Sequence, residues 1–233
     1  MNNINQTLKA INLNGSLITL KVVSDDQAEM DLAYRLWYEV QVGELKYPVT
    51  VGVNHDTKQI RITPNGSLVF MAIENGICIG TIRTTWDGIA ALEFNYKQFL
   101  PDTSQAELTK LMILRAYRHT HLLMHLYLNT FHFHEQNMAL QPYENIVFSA
   151  NSNMVSYYKI IGHKLLSEQI QTHPVIKTEC YLMGCSRKHF NDICIDGEKI
   201  VNGNFLLKAK WGLRYVWYKK FKLFNHSNTN KQT

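Results

Sequence analysis

The chain has 233 residues, 45% of them hydrophobic and 18% charged, with a formal net charge of +5. That balance excludes a disordered chain, and the positive excess is too small to argue for a nucleic-acid partner. The four cysteines, Cys78, Cys180, Cys185 and Cys194, make no CxxC pair and no zinc-like spacing with histidine, so reduced thiols in a cytoplasmic protein are expected.

The opening segment MNNINQTLKAINLNGS reads as a loose polar arm over residues 1–15. It lacks a basic stretch followed by an apolar one, so no signal peptide is expected, and no run reaches the length of a membrane span. A β-rich run predicts a strand over 16–23. Ser24 has the character of an N-cap, with Gln27 completing a capping box and Asp25 and Asp26 suiting a helix start. The helix is predicted to run to about residue 45, burying Ala28, Leu32, Ala33, Leu36, Trp37 and Val40 at helical spacing.

Residues 48–66 form a long connection that ends in the turn signal Pro64-Asn65-Gly66. The segment SLVFMAIENGICIGTIRTTW, 67–86, sets two β-rich runs around Asn75-Gly76, the favoured dipeptide for a tight hairpin. Gly80 predicts a bulge or a close backbone approach. Residues 87–106 read as loop and short helix, with Pro101 as a breaker. A short strand is predicted over 108–114, a helix over 115–141 ending near Pro142, and a buried strand over 146–150. A helix over 154–161 closes on Gly162. Two last strands, 164–170 and 177–184, flank Pro174. The order predicts an α/β fold, a mixed sheet with helices on its faces.

Several of these segments carry a resemblance. Tyr158-Lys159-Ile160-Ile161-Gly162-His163 resembles the end of the last helix in the GNAT acyltransferase fold, with His163 where that family carries Phe. YRLWYEV at 34–40, IGTIRTT at 79–85 and AELTKLMIL at 106–114 follow in the order seen in acyl-homoserine-lactone (autoinducer) synthases and long-chain N-acyl amino acid synthases. The closing strand KTECYLMG is similar to the second group. The resemblance covers roughly residues 20–185. It implies a GNAT-like domain over 1–185 and a basic, aromatic extension over 186–233. It also implies an N-acyltransferase that moves a fatty acyl chain from acyl carrier protein or CoA to the amine of an amino acid or similar small acceptor. An ordinary CoA-dependent N-acetyltransferase, an acyl-homoserine-lactone synthase and a non-catalytic acyl-binding or membrane-binding domain are the alternatives.

Amide formation from a thioester needs a base near the amine, donors for the oxyanion and a proton for the departing thiolate. By resemblance, Glu107 is the carboxylate, although Ser104-Gln105-Ala106-Glu107 also reads as a capping box that would put it at a helix start. Glu93 is the reserve candidate, with a solvated surface position as its plainer reading. Tyr158 is the candidate general acid, or else an aromatic packed between helix and sheet. Arg35 resembles a substrate-binding arginine, and Asp31, Arg35 and Glu39 also share one helix face. Arg83 lies in an apolar strand and needs a partner; a substrate carboxylate or Glu107 is expected. Lys110 stands where the family carries Arg.

The glycine-rich pyrophosphate loop of CoA-dependent relatives is replaced by RAYRHTH, 115–121. A loop without glycine presents fewer backbone N–H groups to a pyrophosphate. Arg115 and Arg118 could instead pair with the single phosphate of a carrier protein's pantetheine arm, which favours acyl carrier protein as donor.

His121 and His125 stand at i, i+4, with His132 and His134 following; no acidic residue joins the first pair at helical spacing and no HExxH is present, so no metal is expected. They read as surface or half-buried helix residues, and His132-Phe133-His134 equally as lining for an acyl pocket. Phe70, Met71, Met112, Met124 and Met138 suit a lipid tunnel or any core. The stretch 204–224, with Lys208, Lys210, Arg214, Lys219, Lys220 and Lys222 among aromatics, suits a membrane surface, an acidic carrier protein, or packing on the core.

Overall fold

The computed structural model describes residues 4–24, 26–63, 66–88, 91–137, 142–203 and 206. In chain order the strands are β1 (Asn5–Leu13), β2 (Ser16–Val23), β3 (Val53–Asn54), β4 (Gln59–Ile60), β5 (Leu68–Glu74), β6 (Ile77–Trp86), β7 (Gln105–Ile113), β8 (Asn145–Asn151), β9 (Lys164–Leu165), β10 (Gln171–Thr172) and β11 (Glu179–Ser186). The helices are α1 (Gln27–Tyr38), α2 (Leu122–Gln136), α3 (Ser152–Ile160) and α4 (Arg187–Val201). Among the described residues, nine strands form one mixed sheet in the order β1-β2-β5-β6-β7-β8-β11-β10, with β9 also on β11.

The sheet is buried on both faces in its middle. Leu68, Phe70 and Ala72 of β5 join the core under α2 and α4, while Val69 and Met71 join the core under α1. A strand covered on both faces loses the polar alternation of a half-exposed one, which is why β5 reads as a continuous apolar run. The β5–β6 turn is made by Asn75 (φ 49) and Gly76 (φ 77), as the dipeptide predicts. Gly80 meets both expectations. The ladder steps from Ala72↔Gly80 to Ile73↔Cys78, a bulge, and a Cβ on Gly80 would lie 3.1 Å from Leu126 and 3.2 Å from Leu122 of α2.

Several local expectations are corrected. The polar arm is strand β1, joined to β2 by a second Asn-Gly turn, Asn14 (φ 53) and Gly15 (φ 89). As an edge strand, β1 carries an exposed polar face, so it does not look apolar in sequence. The N-cap of α1 is Asp26, whose side chain accepts the Glu29 N–H at 3.1 Å. Ser24 instead exchanges bonds with Ile4: its hydroxyl accepts the Ile4 N–H at 2.9 Å, and its own N–H donates to the Ile4 carbonyl at 2.8 Å. Helix α1 passes into a π-helical turn over Glu39–Glu44. The predicted 115–141 helix is a 3-10 turn at Arg115–Tyr117 followed by α2. Pro64, Asn65 and Met138 lie outside the described residues, as does nearly all of 204–224.

Beyond β11, α4 is a packed element. Its Ser186 cap accepts the His189 N–H at 3.2 Å, and Phe190 is fully buried against Tyr127 and Phe131 of α2. Among the described residues, no helix is long and apolar enough to cross a membrane.

Candidate active site

The site begins with a flaw in the sheet. β7 runs parallel to β8 through three pairs, Gln105↔Asn145, Ala106↔Ile146 and Glu107↔Val147, and the pairing then stops. On its other side β7 carries a bulge: Thr81↔Met112 is followed by Arg83↔Thr109, so Lys110 and Leu111 oppose the single residue Ile82. Lys110 adopts φ +50, an unfavourable backbone for a side chain with a Cβ. Thr81 holds the distortion in place. Its hydroxyl donates to the Lys110 carbonyl at 2.7 Å and accepts the Trp37 indole N–H at 3.0 Å. Beyond Glu107 the strands part around a cavity of about 540 Å³, lined by 108–113 of β7 and 148–151 of β8.

Four charged or polar side chains converge at this cavity's base. Arg83 is fully buried and each of its three nitrogens makes a hydrogen bond: Nε to Thr109 Oγ1 at 2.8 Å, one terminal nitrogen to the Ile62 carbonyl at 2.6 Å, and the other to Glu93 Oε1 at 2.6 Å. Lys110 Nζ lies 3.3 Å from the same oxygen, and His173 Nε2 lies 3.0 Å from Glu93 Oε2. Glu93, Lys110 and His173 all line the cavity. Burial alone would raise the Glu93 carboxyl, but Lys110, the His173 hydrogen bond and Arg83 outweigh it and hold the group well below the usual carboxylate range. Burial pushes Lys110 down, partly offset by Glu93.

Two expectations change here. Glu93 is no solvated surface residue; it is the centre of the cluster. Arg83 holds Glu93, not Glu107, and does not line the cavity where a substrate carboxylate would sit.

Glu107 lies on a strand, so the helix-start reading fails. Gln105–Ile113 is extended because each of its faces is packed and Ala106 and Leu108 enter the main core. Its side chain is 1% exposed and is not among the cavity's lining groups. Its Oε2 accepts the backbone N–H of Glu93 at 2.7 Å, which sets the two carboxyl-bearing residues back to back. Burial, then the charge of Glu93, raise Glu107 to about 7. Oε1 of Glu107 and the hydroxyl of Tyr96 are buried neighbours, neither in a hydrogen bond of normal geometry.

The opposite wall is aromatic. Tyr158 lines the cavity and packs on Phe148 with ring centroids 4.7 Å apart, and Tyr127 and Tyr157 flank it. Burial raises the Tyr158 phenol above its ordinary value, which keeps the proton on it. The helix carrying it ends at Gly162 (φ +101), where a Cβ would collide with the His189 imidazole. His163 stacks edgewise on Phe148 at 4.8 Å, and burial pushes it down to about 3, so it packs as a neutral aromatic ring.

Other expected residues fall elsewhere. Arg35 is exposed on α1 and does not line the cavity; Val40 and Gln41 of the π-helical turn do. The Asp31–Arg35–Glu39 ladder is replaced by a contact of Asp31 with Arg61 at 3.2 Å. Arg118 lines the cavity, donates to the Ile113 carbonyl at 2.9 Å and pairs with Glu44; Arg115 is exposed on the preceding 3-10 turn. His134 is buried against Thr84, not half-exposed, and burial pushes it down to about 3. Of the tunnel candidates, Met112 lines the cavity; Phe70 and Met71 are core residues, and Met124 faces Gly197. His173, Gln41 and the Asn151 amide that donates to the Tyr47 hydroxyl at 2.6 Å were not foreseen. The His173-Pro174 dipeptide is a turn signal, but nothing local to it names Glu93 as partner.

No protein-family model and no curated protein matches this chain. Solved structures do. FeeM, an N-acyl amino acid synthase from uncultured soil microbes, superposes with TM-score 0.59 at 12% identity, over 75% of this chain and 93% of that one. The fold is that of the GNAT acyltransferases. BjaI, a CoA-dependent acyl-homoserine lactone synthase solved with SAM and isopentyl-CoA, gives 0.53 at 10% identity, over 76% and 88%. An uncharacterized protein from Bacillus halodurans gives 0.53 at 14%, over 83% and 96%. In GNAT terms, the parted β7 and β8 are the central strands and the cavity is the cleft between them.

Proposed function

We propose that this chain is an N-acyltransferase that carries a fatty acyl group from a thioester, acyl carrier protein in preference to CoA, to the amine of an amino acid or similar small acceptor. The observation that supports it most is the cleft between β7 and β8, with a charged cluster at its base and a protonated tyrosine on its wall. The acceptor nitrogen attacks the thioester carbonyl carbon, the C–S bond breaks, and the thiolate takes the Tyr158 proton. The amine gives up its proton to Glu107 through water. A carboxyl near 7 accepts a proton at neutral pH far more readily than Glu93, which is held low. Glu93, which lines the cavity, presents a carboxylate oxygen to the N–H of the acceptor amine. The β7 backbone at the Lys110 bulge has an unpaired edge toward β8, suited to the oxyanion. The glycine-free turn with Arg115 and Arg118 supports the carrier-protein donor.

Mass spectrometry of organic extracts tests the reading. Cells expressing the wild type should contain an acylated amine that Glu93→Gln abolishes and Glu107→Gln strongly reduces. Purified protein that binds acyl carrier protein thioesters but turns over none, with a full panel of amino acids supplied, would establish a binding domain instead.

A further inference from the structure

His173 heads the turn between β10 and β11. Its Nδ1 accepts the backbone N–H of Val175 at 3.1 Å and of Ile176 at 3.4 Å. The turn is closed by His173 N–H on the Thr178 carbonyl at 2.8 Å and Lys177 N–H on the His173 carbonyl at 3.0 Å. A ring nitrogen that accepts N–H donors carries no hydrogen, so in the neutral ring the hydrogen sits on Nε2. Nε2 is the atom 3.0 Å from Glu93 Oε2. The Phe94 ring stands edge-on to the imidazole at 5.5 Å and limits its rotation.

The carboxylate of Glu93 is therefore held from three directions. Arg83 on β6 and Lys110 on β7 share Oε1; among the described residues His173 is the group set against Oε2, its Nε2 3.0 Å away though outside regular hydrogen-bond geometry. The other titratable neighbours are Glu107, which binds the Glu93 backbone, and Tyr96 and Cys180, both raised in part by the Glu93 charge. Glu93 sits in the connection between β6 and β7, outside any strand, so its side chain depends on these partners for its orientation. Arg83 and Lys110 come from the sheet. His173 comes from a turn on another strand pair and ties that turn to the connection.

We propose that His173 is a positioning residue for acyl transfer: it fixes the second oxygen of Glu93, and with it the direction and proton affinity of the carboxylate that meets the acceptor amine. The proposal rests on the acyltransferase reading for its kinetic part only. A neutral donor suits the task. Protonating Nδ1 would set a hydrogen against the Val175 and Ile176 N–H groups, so the turn itself selects the tautomer that serves Glu93.

Two variants separate the two ends of the ring. In His173→Asn the side-chain oxygen can still accept the Val175 N–H, but nothing reaches Glu93. In His173→Gln the amide N–H can extend toward Glu93. Acceptor kinetics across pH and a carboxyl-carbon NMR titration of Glu93 are measured on the full chain, with a nitrogen-NMR assignment of the wild-type tautomer. His173→Asn should keep a near wild-type melting temperature, lower kcat about 10-fold, leave the donor KM unchanged, and move the Glu93 titration to higher pH. His173→Gln should recover most of each effect. An Asn variant in which Glu93 titrates as in wild type, or a wild-type ring with its hydrogen on Nδ1, overturns the proposal. If wild-type protein transfers no acyl group, the enzyme reading fails alone, and the NMR measurements still decide the link between His173 and Glu93.

Discussion

The β5–β6 hairpin and the β7–β8 seam are neighbours in one sheet and behave as opposites. The hairpin is paired from Leu68↔Thr84 to Glu74↔Ile77 around a two-residue turn. The seam keeps three pairs and then opens. The hairpin's contacts are local, so its stability resides in turn chemistry and apolar burial. The seam joins strands separated by a helix and is cut short beside a bulge that Trp37 of α1 and Thr81 of β6 hold in place. Charged groups gather where the ladder fails, because an open seam leaves room for side chains that a closed sheet would exclude. The lesson is that this sheet keeps its chemistry at its least regular point, while the regular part supplies the rigidity.

The largest effect should come from the seam. Glu93→Gln leaves the guanidinium of Arg83 and the ammonium of Lys110 buried without a counter-ion, and should cost about 3 kcal/mol in urea unfolding. A loss near zero would mean that the cluster is held together by something other than charge.

Next in size is a pH effect of unusual sign. Glu107 is raised from 4.5 to about 7 in the folded protein. As pH climbs from 4.5 to 7 the unfolded chain gives up this proton first, so the folded state binds more protons and stability falls, by about 3 kcal/mol in all. Glu107→Gln should remove that fall, seen as a flatter stability curve over the same range. Glu93 contributes in the opposite sense, because its pKa is depressed: its stabilisation is present above the ordinary carboxylate pKa and is lost as pH drops through its folded value. Comparing the two Gln variants across pH separates the two carboxyls.

The smallest effect belongs to the hairpin. Gly76 has φ +77 and open space around a Cβ, so Gly76→Ala should cost about 1 kcal/mol through backbone strain alone. Acyl transfer, measured at a temperature where the variant is folded, should be unchanged. A change in activity would show that hairpin and seam are coupled.

Legibility followed the same division. The Asn75-Gly76 turn, the Gly80 bulge, strand β2 and the Gly162 helix end could be read because each depends on a few adjacent residues. The Asn14-Gly15 turn carries the same signal, but the polar strand before it hides the hairpin it closes. The family order placed Glu107 on a central strand against a local pattern that favoured a helix start. Glu93 could not be read correctly, since a single glutamate among apolar residues looks like a surface residue until three cations and donors from distant strands surround it. Arg35 is the converse case: its place in α1 suits a substrate-binding arginine by resemblance, but helical spacing does not say which face meets the cleft, and Arg35 is exposed away from the cavity.

The amino-acid sequence by itself determined the α/β architecture, the central hairpin and the identity of most ionisable groups near the cleft, because periodicity and turn chemistry act over short distances. Only the tertiary structure decided which carboxylate faces the cavity, which one lies behind it, and that His173 sits against the first. Those outcomes depend on burial and on charges brought together from β6, β7 and the β10–β11 turn, and the energy of a buried charge depends on its partners far more than on its neighbours in the chain.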